Sequence, residues 1–183
     1  MSTQFWKIDA SHSSILFSVR HLVISRVRGA FARWQGTIQF DEDDPLSSKV
    51  SVQIEAASID TNEPKRDAHL RSKDFLDVER YPTLTFESTR IEPFPRRRYR
   101  VSGDLTMHGI VKAVDLDVEL LGESRDPWGN ERIGFAARAT ISRIDFGLQW
   151  NQVLEGGGLV VGETIDLELD VEAVKMELAH KAA

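Results

Sequence analysis

Five histidines are the side chains of this sequence best suited to bind a metal ion or to transfer a proton. They lie far apart, and no two have a ligand spacing such as H-x-x-x-H: His12, His21, His69, His108 and His180. The chain has no cysteine, no G-x-S-x-G elbow and no glycine-rich phosphate loop. Strands can bring distant histidines together, but the sequence itself predicts no metal site, no catalytic site and no cofactor. We therefore expect a protein that is not an enzyme.

The segment from Ser58 to Phe86 interrupts a sequence that otherwise alternates like β-strands. Pro64 is tolerated in the first turn of a helix, and Lys65 to Ser72 then forms about two polar helical turns. Asp67 and Arg71 are four residues apart in this helix, so we expect their side chains to pair. The segment is thus predicted to form a short helical flap.

Two large apolar residues, Phe75 and Leu76, follow the predicted helix, and Tyr81-Pro82 then returns the chain to a strand. A flap that is polar outside and apolar at its tip is typical of a lid over a cavity. A plain surface crossover between two strands has the same pattern. The residues alone leave both interpretations open.

Eight segments outside the flap have the alternation of half-buried strands. In one of them Val114, Leu116 and Val118 alternate with Asp115 and Asp117. One apolar and one solvated face is typical of antiparallel sheets. The segments are residues 12–21, 27–40, 48–57, 82–91, 98–107, 111–121, 131–142 and 163–174.

The second of these segments changes its facing partway along. Its apolar residues are odd-numbered at Val27 and Phe31 but even-numbered at Ile38 and Phe40. A one-residue slip moves every side chain to the other face, so we expect a bulge or bend near Ala32-Arg33. An all-β protein follows, but the pattern does not choose between a closed barrel and a sandwich.

Composition and charge exclude several classes of protein. The chain has 183 residues, 41% of them hydrophobic, and a net charge of −6, which argues against nucleic acid as a partner. We expect a single domain over residues 1–183. The N-terminus lacks the basic and apolar regions of a signal peptide, and no stretch approaches the roughly 18 apolar residues of a membrane span. The sequence therefore predicts a cytoplasmic location.

Several separate motifs resemble those of the YceI-like family of polyisoprenoid-binding proteins. Together they extend over roughly residues 5 to 174, in the order found in the family. They are His12-Ser13-x-Ile15-x-Phe17-x-Val19-x-His21-Leu22, Arg28-Gly29-x-Phe31, Ser58-Ile59-Asp60-Thr61, Arg66-Asp67-x-His69-Leu70-Arg71-Ser72-x-Asp74-Phe75, Tyr81-Pro82, Gly103-Asp104-Leu105-Thr106-x-His108-Gly109 and Arg143-x-Asp145-Phe146-Gly147.

The resemblance implies an elongated, lipocalin-like, eight-stranded antiparallel barrel with the helical flap between its third and fourth strands. It implies a protein that binds and carries or stores a long-chain isoprenoid, of polyprenyl or quinone type, in an apolar interior. It also implies a homodimer, although no interface is identified. Transient contact with an anionic membrane is a separate expectation, which rests on the basic cluster Arg96–Arg98 with Arg100. Many relatives are exported, which contrasts with the cytoplasmic prediction. A barrel enzyme acting on a lipid and a ligand-free, partner-binding barrel stay as alternatives.

On this hypothesis, large apolar side chains line the barrel, and Phe75 and Leu76 close one end. Small residues on or beside the apolar faces, such as Gly36, Gly103 and Ala137, are expected to leave volume for the tail. The candidate lining residues are Phe17, Val19, Trp34, Ile38, Phe75, Leu76, Leu84, Phe86, Met107, Phe135, Phe146 and Trp150.

A pyrophosphate head group would require cationic donors at the mouth of such a barrel. On the flap, Arg66, His69 and Arg71 are the candidates. Arg20, Arg28 and the cluster Arg96–Arg98 with Arg100 are further ones, although a solvated hairpin is the commoner role for such a cluster. A quinone head would leave these cations without this role.

Overall fold

The computed structural model describes residues 3–41 and 43–177, and these residues form eleven β-strands and one α-helix. His180 and both ends of the predicted 1–183 domain lie outside the described residues. The elements are β1 (Gln4–Ile8), β2 (Ser14–His21), β3 (Ser25–Phe31), β4 (Trp34–Phe40), β5 (Lys49–Glu55), β6 (Ile59–Asp60), α1 (Pro64–Arg71), β7 (Thr83–Phe94), β8 (Arg98–Met107), β9 (Ile110–Arg125), β10 (Glu131–Ser142) and β11 (Val161–Lys175).

All of these strands belong to one antiparallel sheet that closes on itself. Closure occurs at β1, where Trp6 lies opposite Ile38 of β4 on one side and opposite Lys175 of β11 on the other. The ring is β1-β4-β5-β7-β8-β9-β10-β11, which is an eight-stranded barrel. The predicted all-β, eight-stranded antiparallel barrel is therefore confirmed.

Three positions of the ring are occupied by strands broken in two. β11 pairs with β1 near Ala173 and with β2 from Asp170 onward, so β1 and β2 are two halves of one barrel strand. β3 and β4, and likewise β5 and β6, form such halves. The sequence did not indicate β1 as a strand, because it has only five residues and a 3-10 turn separates it from β2.

The bend predicted near Ala32-Arg33 is the break between β3 and β4. The Ala32 N–H donates to the Ser58 carbonyl at 3.0 Å, and the Glu55 N–H donates to the Arg33 carbonyl at 3.0 Å. The polar backbone groups freed by the break are thus satisfied by the neighbouring chain. Predicted segment 27–40 is two strands, and the break restores the inward facing of Val27, Phe31, Ile38 and Phe40.

Helix α1 begins and ends where local chemistry requires. The Glu63 side chain accepts from the Lys65 and Arg66 backbone N–H groups, at 3.3 and 2.6 Å, which caps the N-terminus. Pro64 occupies the first helical position, where no N–H is needed. The Ser72 N–H donates to the His69 carbonyl at the other end.

The expected pairing of Asp67 with Arg71 is wrong. Asp67 is buried and accepts from the backbone N–H and the hydroxyl of Thr61, at 2.9 and 2.5 Å. Arg71 donates instead to the carbonyls of Ala57 and Ile59, at 2.8 and 2.7 Å. Both side chains therefore fasten the flap to the segment before it, residues 57–61, since buried partners outcompete a solvent-exposed helical ion pair.

Three glycines on the barrel wall serve close packing rather than empty volume. A Cβ on Gly103 would lie 2.4 Å from the Phe86 ring, and one on Gly29 would lie 2.4 Å from the Phe17 ring. A Cβ on Gly36 would lie 2.7 Å from the Ile8 side chain. The expectation that Gly36 and Gly103 leave space for a ligand is therefore wrong, because neighbouring side chains already occupy that space.

None of the helical residues in the described ranges forms a segment long and apolar enough to cross a membrane.

Candidate functional site

A cavity of about 540 Å³ occupies the barrel interior. All eleven strands and α1 contribute residues to its wall, and most of these side chains are aliphatic or aromatic. The inward-facing rows predicted from alternation form this wall, for example Ile165, Leu167 and Leu169 on β11. The volume lies within the range of about 300–1,000 Å³ typical of small-molecule sites.

Ten of the predicted apolar site residues line this cavity, and their role in binding stays a prediction. They are Phe17, Val19, Ile38, Phe75, Leu76, Leu84, Phe86, Met107, Phe135 and Trp150.

Two other predicted residues, Trp34 and Phe146, do not line the cavity. Trp34 begins β4, lies opposite Ile54 and packs half-buried against the core. Phe146 is 1% exposed in a short 3-10 turn, and its carbonyl lies 3.1 Å from Nδ1 of His108. Both rings belong to the packed wall, because alternation predicts the facing of a residue but not how far the cavity extends.

Aromatic rings close one end of the cavity. The Phe40 ring meets the Tyr99 and Phe135 rings edge to face, each with centroids 5.7 Å apart. Trp6, only 1% exposed, belongs to the same buried cluster and lies on β1 beside β4. We call this the closed end.

A second cluster of rings lies under the flap at the opposite end, which we call the mouth. The His69 ring packs edge-on against Trp150 and Phe75, with centroids 4.6 and 5.1 Å apart. Nε2 of His69 is 2.8 Å from a carboxylate oxygen of Asp74, which orients the imidazole. With Leu76 beside them in the lining, these side chains form part of the cavity wall, so the flap covers cavity surface, and its closing of this end stays a prediction.

Cationic side chains line the mouth. Among the described residues, no carboxylate lines the cavity, so every charged side chain of the lining is basic within a protein of net charge −6. The basic residues of the lining are Arg20, His21, Lys65, Arg66, His69 and Arg143.

The predicted cationic candidates divide between mouth and elsewhere. Arg66 and His69 line the cavity, although the Arg66 guanidinium also donates to the hydroxyl and carbonyl of Thr61, at 2.7 and 2.8 Å. Arg71 does not line it, because its guanidinium is held by backbone carbonyls on the outer side of the flap.

Among the remaining candidates, Arg20 lines the mouth and Arg28 does not. The cluster Arg96–Arg98 with Arg100 belongs to the β7–β8 hairpin at the closed end, so it is remote from the mouth. Lys65, His21 and Arg143 were not predicted as site residues. The sequence offered one indication of these three residues, namely that each lies within or beside one of the motifs around His21, Arg66 and Arg143.

Arg143 is the most buried of these cations, at 2% exposed. Its guanidinium donates to the carbonyls of Gly162, Trp150 and Val161 at 2.7, 3.0 and 3.2 Å, and also to that of Leu148. Burial lowers the pKa of this guanidinium from its ordinary value, although nearby Glu163 opposes that shift. Arg143 thus fixes the long connection between β10 and β11 that carries Trp150 to the mouth.

A separate polar cluster lies on the outer barrel surface near the closed end. Asp9, His12 and Glu172 are spaced closely enough to hold a metal ion. Arg132, however, donates to Asp9 at 3.0 Å, to Asp126 at 2.8 Å and to Glu172. The cation of this cluster is therefore the guanidinium, and the cluster clamps the β1–β2 break to β10 and β11.

Hydrogen bonds in this clamp lower the pKa values of its aspartate carboxyl groups. Hydrogen bonds from Ser11, then from His12 and Arg132, hold the pKa of Asp9 well below its usual range. The pKa of Asp126 is likewise depressed, chiefly by its hydrogen bond from Asn130. Both groups are therefore carboxylates at neutral pH.

Comparison with known proteins identifies relatives over most of the chain. Residues 6–173 match the model of the YceI-like domain. A UPF0312 protein of Pseudomonas savastanoi pv. phaseolicola is 37% identical over 167 residues, which are 91% of this chain and 83% of that protein.

Two solved structures share the fold. BcnA of Burkholderia cenocepacia superposes with a TM-score of 0.80 at 21% identity, covering 90% of this chain and 98% of its own. A polyisoprenoid binding domain from Saccharophagus degradans, implicated in plant cell wall breakdown, superposes with a TM-score of 0.70 at 15% identity. That match covers 96% of this chain and all of the domain.

Proposed function

This chain belongs to the YceI-like family, and from that premise we propose that it binds one long-chain isoprenoid lipid and carries or stores it. The apolar tail lies inside the barrel and the head group lies at the mouth. The observation that supports this proposal most is the cavity itself, which is apolar along its length, closed by aromatic rings at one end and basic at the other. The polyisoprenoid binding of the Saccharophagus degradans domain, which shares the fold, is consistent with it.

The basic mouth supports an anionic head group such as a phosphate or diphosphate. Charge-assisted hydrogen bonds from Lys65, Arg66 and Arg20 would each contribute about 1.5–3 kcal/mol. No carboxylate of the described lining would repel the anion. A quinone head is neutral and would gain less from these cations, so we place it second.

Binding rather than turnover is the role that the lining supports. Its polar side chains are gathered at the mouth, apart from Ser48 and Tyr99 near the closed end. No serine, threonine or carboxylate of the described lining stands beside a histidine as a nucleophile and base would. A ligand-free barrel would be filled by its own aromatic rings, whereas this one encloses about 540 Å³.

Energetics favour a carrier that exchanges its lipid. Each buried methylene contributes about 0.8 kcal/mol relative to water. The tail's alternative in a cell is a bilayer rather than water, so the apolar contributions nearly cancel. Affinity relative to the membrane is then set mainly by contacts of the head group, which permits release as well as capture.

The test of binding is mass measurement on protein purified without denaturation. Native mass spectrometry gives the mass of any complex, and organic extraction with mass analysis identifies the lipid. We expect one isoprenoid per chain. A mass equal to the bare chain, together with no uptake of added polyprenyl lipid, would refute the proposal.

The test of the head group compares a polyprenyl diphosphate with the polyprenol of the same tail. We expect the diphosphate to bind more tightly, and the double variant Arg20→Gln, Lys65→Gln to lose about tenfold or more of that preference. Arg138→Gln is the matched control, because Arg138 is exposed on the outside of β10. Equal binding of the two lipids would favour a neutral head group instead.

A further inference from the structure

An exposed apolar patch stands beside the mouth, outside the cavity lining. Val23 and Ile24, in the turn between β2 and β3, are 62% and 86% exposed. Val153 and Leu159, in the connection before β11, are 79% and 38% exposed. We call these four residues the lip patch.

The two turns that carry the lip patch touch each other. The Leu22 N–H donates to the Val160 carbonyl at 2.9 Å. A Cβ on Gly158 would lie 3.9 Å from a methyl group of Val23, and Val153 and Leu159 form a β-bridge. The four side chains therefore belong to one surface rather than to two independent loops.

The backbone of the first turn is unfavourable for the residues it holds. Leu22 and Val23 have φ angles of 52° and 66°, in the left-handed region where a β-branched residue is disfavoured. The turn between β8 and β9, at the same end of the barrel, uses His108 and Gly109 at φ 54° and 72°. Two-residue hairpin turns with positive φ, such as His108-Gly109, usually use Asn and Gly, and the three-residue β2–β3 turn places Leu22 and Val23 in the same region of φ. Leu22-Val23 is thus a poor choice for the turn itself, which points to a use for exposed apolar groups.

The patch is continuous with the mouth. His21 and Val160 flank the two turns and both line the cavity. A lipid that leaves the barrel at this edge passes directly from the cavity wall to the lip patch. At this position the lip patch would therefore shorten the distance that the apolar tail of the lipid travels through water.

Positive charge surrounds the patch. Arg20, Arg28 and Lys65 are exposed; Arg20 interacts electrostatically with Asp166, whereas Arg28 and Lys65 form no ion pair with any described residue. Arg26 is neutralised by Asp166 at 2.5 Å, and Glu155 is the carboxylate of the second turn. The local balance is positive, opposite in sign to the whole chain.

We propose that the lip patch docks the protein onto an anionic lipid bilayer, with the mouth facing the membrane interface. Apolar side chains enter the boundary between head groups and acyl chains, and the flanking cations attract the anionic surface. This inference rests on the proposed function, because it describes how the bound lipid enters and leaves.

A bilayer fits the patch better than a second copy of the chain does. A stable protein interface buries about 800 Å² on each partner. Four side chains at the tips of two turns present a narrow, protruding surface, which is too small for such an interface. A fluid bilayer has no shape to match, so a protruding apolar tip can insert.

The experiment is vesicle flotation of the full chain with its bound lipid. Vesicles of phosphatidylcholine alone are compared with vesicles that also contain phosphatidylglycerol. The test variant is Val23→Ser, Ile24→Ser, Val153→Ser. The matched control is Leu46→Ser, Trp128→Ser, which removes equally exposed apolar side chains, 66% and 82% exposed, from turns at the closed end.

We expect the wild type and the control to float with the anionic vesicles, and the lip variant to bind them roughly tenfold or more weakly. Native mass and retained lipid are measured on every variant. Equal flotation of the lip and control variants, or no flotation of the wild type, would overturn the docking proposal. If the same preparations retain their lipid, the proposed function stands even then. A dimer that the lip variant dissociates, without vesicle binding, would show that the occupant is a second copy. Vesicle docking by a chain that holds no lipid would instead refute the proposed function.

Discussion

The two ends of this barrel are made from the same strands but differ in their interior packing and in the connections between the strands. At the closed end the interior is filled by the Phe40, Tyr99 and Phe135 rings. At the mouth two short turns, β2–β3 and β8–β9, are accompanied by the flap and by the long β10–β11 connection. The cations of the lining are found at the mouth.

The difference shows which interactions stabilise each end. The closed end is held by ring packing inside and by the Arg132 clamp outside, so its polar groups stay on the surface. The mouth keeps an apolar space open, and its connections are held by arginine side chains that donate to backbone carbonyls. One end is stabilised by burial and the other by hydrogen bonds that leave room for a ligand.

The largest effect is expected from removing the hydrogen bonds that hold the mouth. Arg143→Met removes the guanidinium donor from four carbonyls, of which that of Val161 keeps the Asn151 amide, and should lower the free energy of unfolding by about 3–5 kcal/mol. Urea unfolding measures this. Arg138→Met, an exposed arginine on the same strand, should stay within about 0.5 kcal/mol of the wild type. Similar losses in both variants would contradict the role given to Arg143.

The next effect tests the closed end. Phe135→Ala should lower the free energy of unfolding by about 3 kcal/mol, because it removes a buried ring from the Phe40 cluster. It should also extend the cavity, so that longer polyprenyl tails bind better than to the wild type. Phe17→Ala is the comparison on β2, where the half-buried ring packs at a tilt against Phe31 and its loss should lower the free energy of unfolding by less. An unchanged preference for tail length would show that the rings do not limit the cavity.

A third prediction concerns acid and the outer clamp. Asp9 and Asp126 have depressed pKa values when folded, so their stabilisation is complete above the unfolded carboxyl pKa of about 3.9 and is lost as the pH falls below it. Arg132→Met should lower the melting temperature at pH 7, because it leaves three carboxylates together. The difference from the wild type should shrink as the pH falls toward 3. Arg138→Met, an exposed arginine farther along β10, should show a much smaller pH dependence, and a difference between Arg132→Met and the wild type that persisted in acid would argue against the clamp.

The smallest expected change in the free energy of unfolding is at the lip patch, where stability and vesicle binding should change in opposite directions. Leu22→Asn, Val23→Gly places residues that tolerate positive φ where the backbone requires it and should raise the free energy of unfolding by about 1 kcal/mol. The same variant should bind anionic vesicles less well, since it removes apolar surface. Thermal unfolding and flotation are measured on the same preparations. A variant that is less stable than the wild type would mean that Leu22 and Val23 are packing residues.

Local sequence was sufficient for the elements that repeat a simple pattern. Alternation predicted eight strands, the parity change between Phe31 and Ile38 predicted the break at Ala32-Arg33, and Pro64 marked the start of the helix. Each of these features depends on neighbours within a few residues, and alternation with a period of two residues shows which face of a strand is buried. The apolar residues of the cavity wall could be predicted for the same reason.

The tertiary structure alone decided what those faces enclose. Arg71 and Asp67 take partners in the preceding segment, residues 57–61, rather than each other, and Arg132 joins Asp9 across 123 positions of the sequence. Whether Gly103 leaves space or receives the Phe86 ring depends on the register between β7 and β8. The extent of the cavity, its basic mouth and its closed end follow from ring closure, which sets many distant contacts at once. Facing is a local property of the chain, whereas closure and register are properties of the whole sheet.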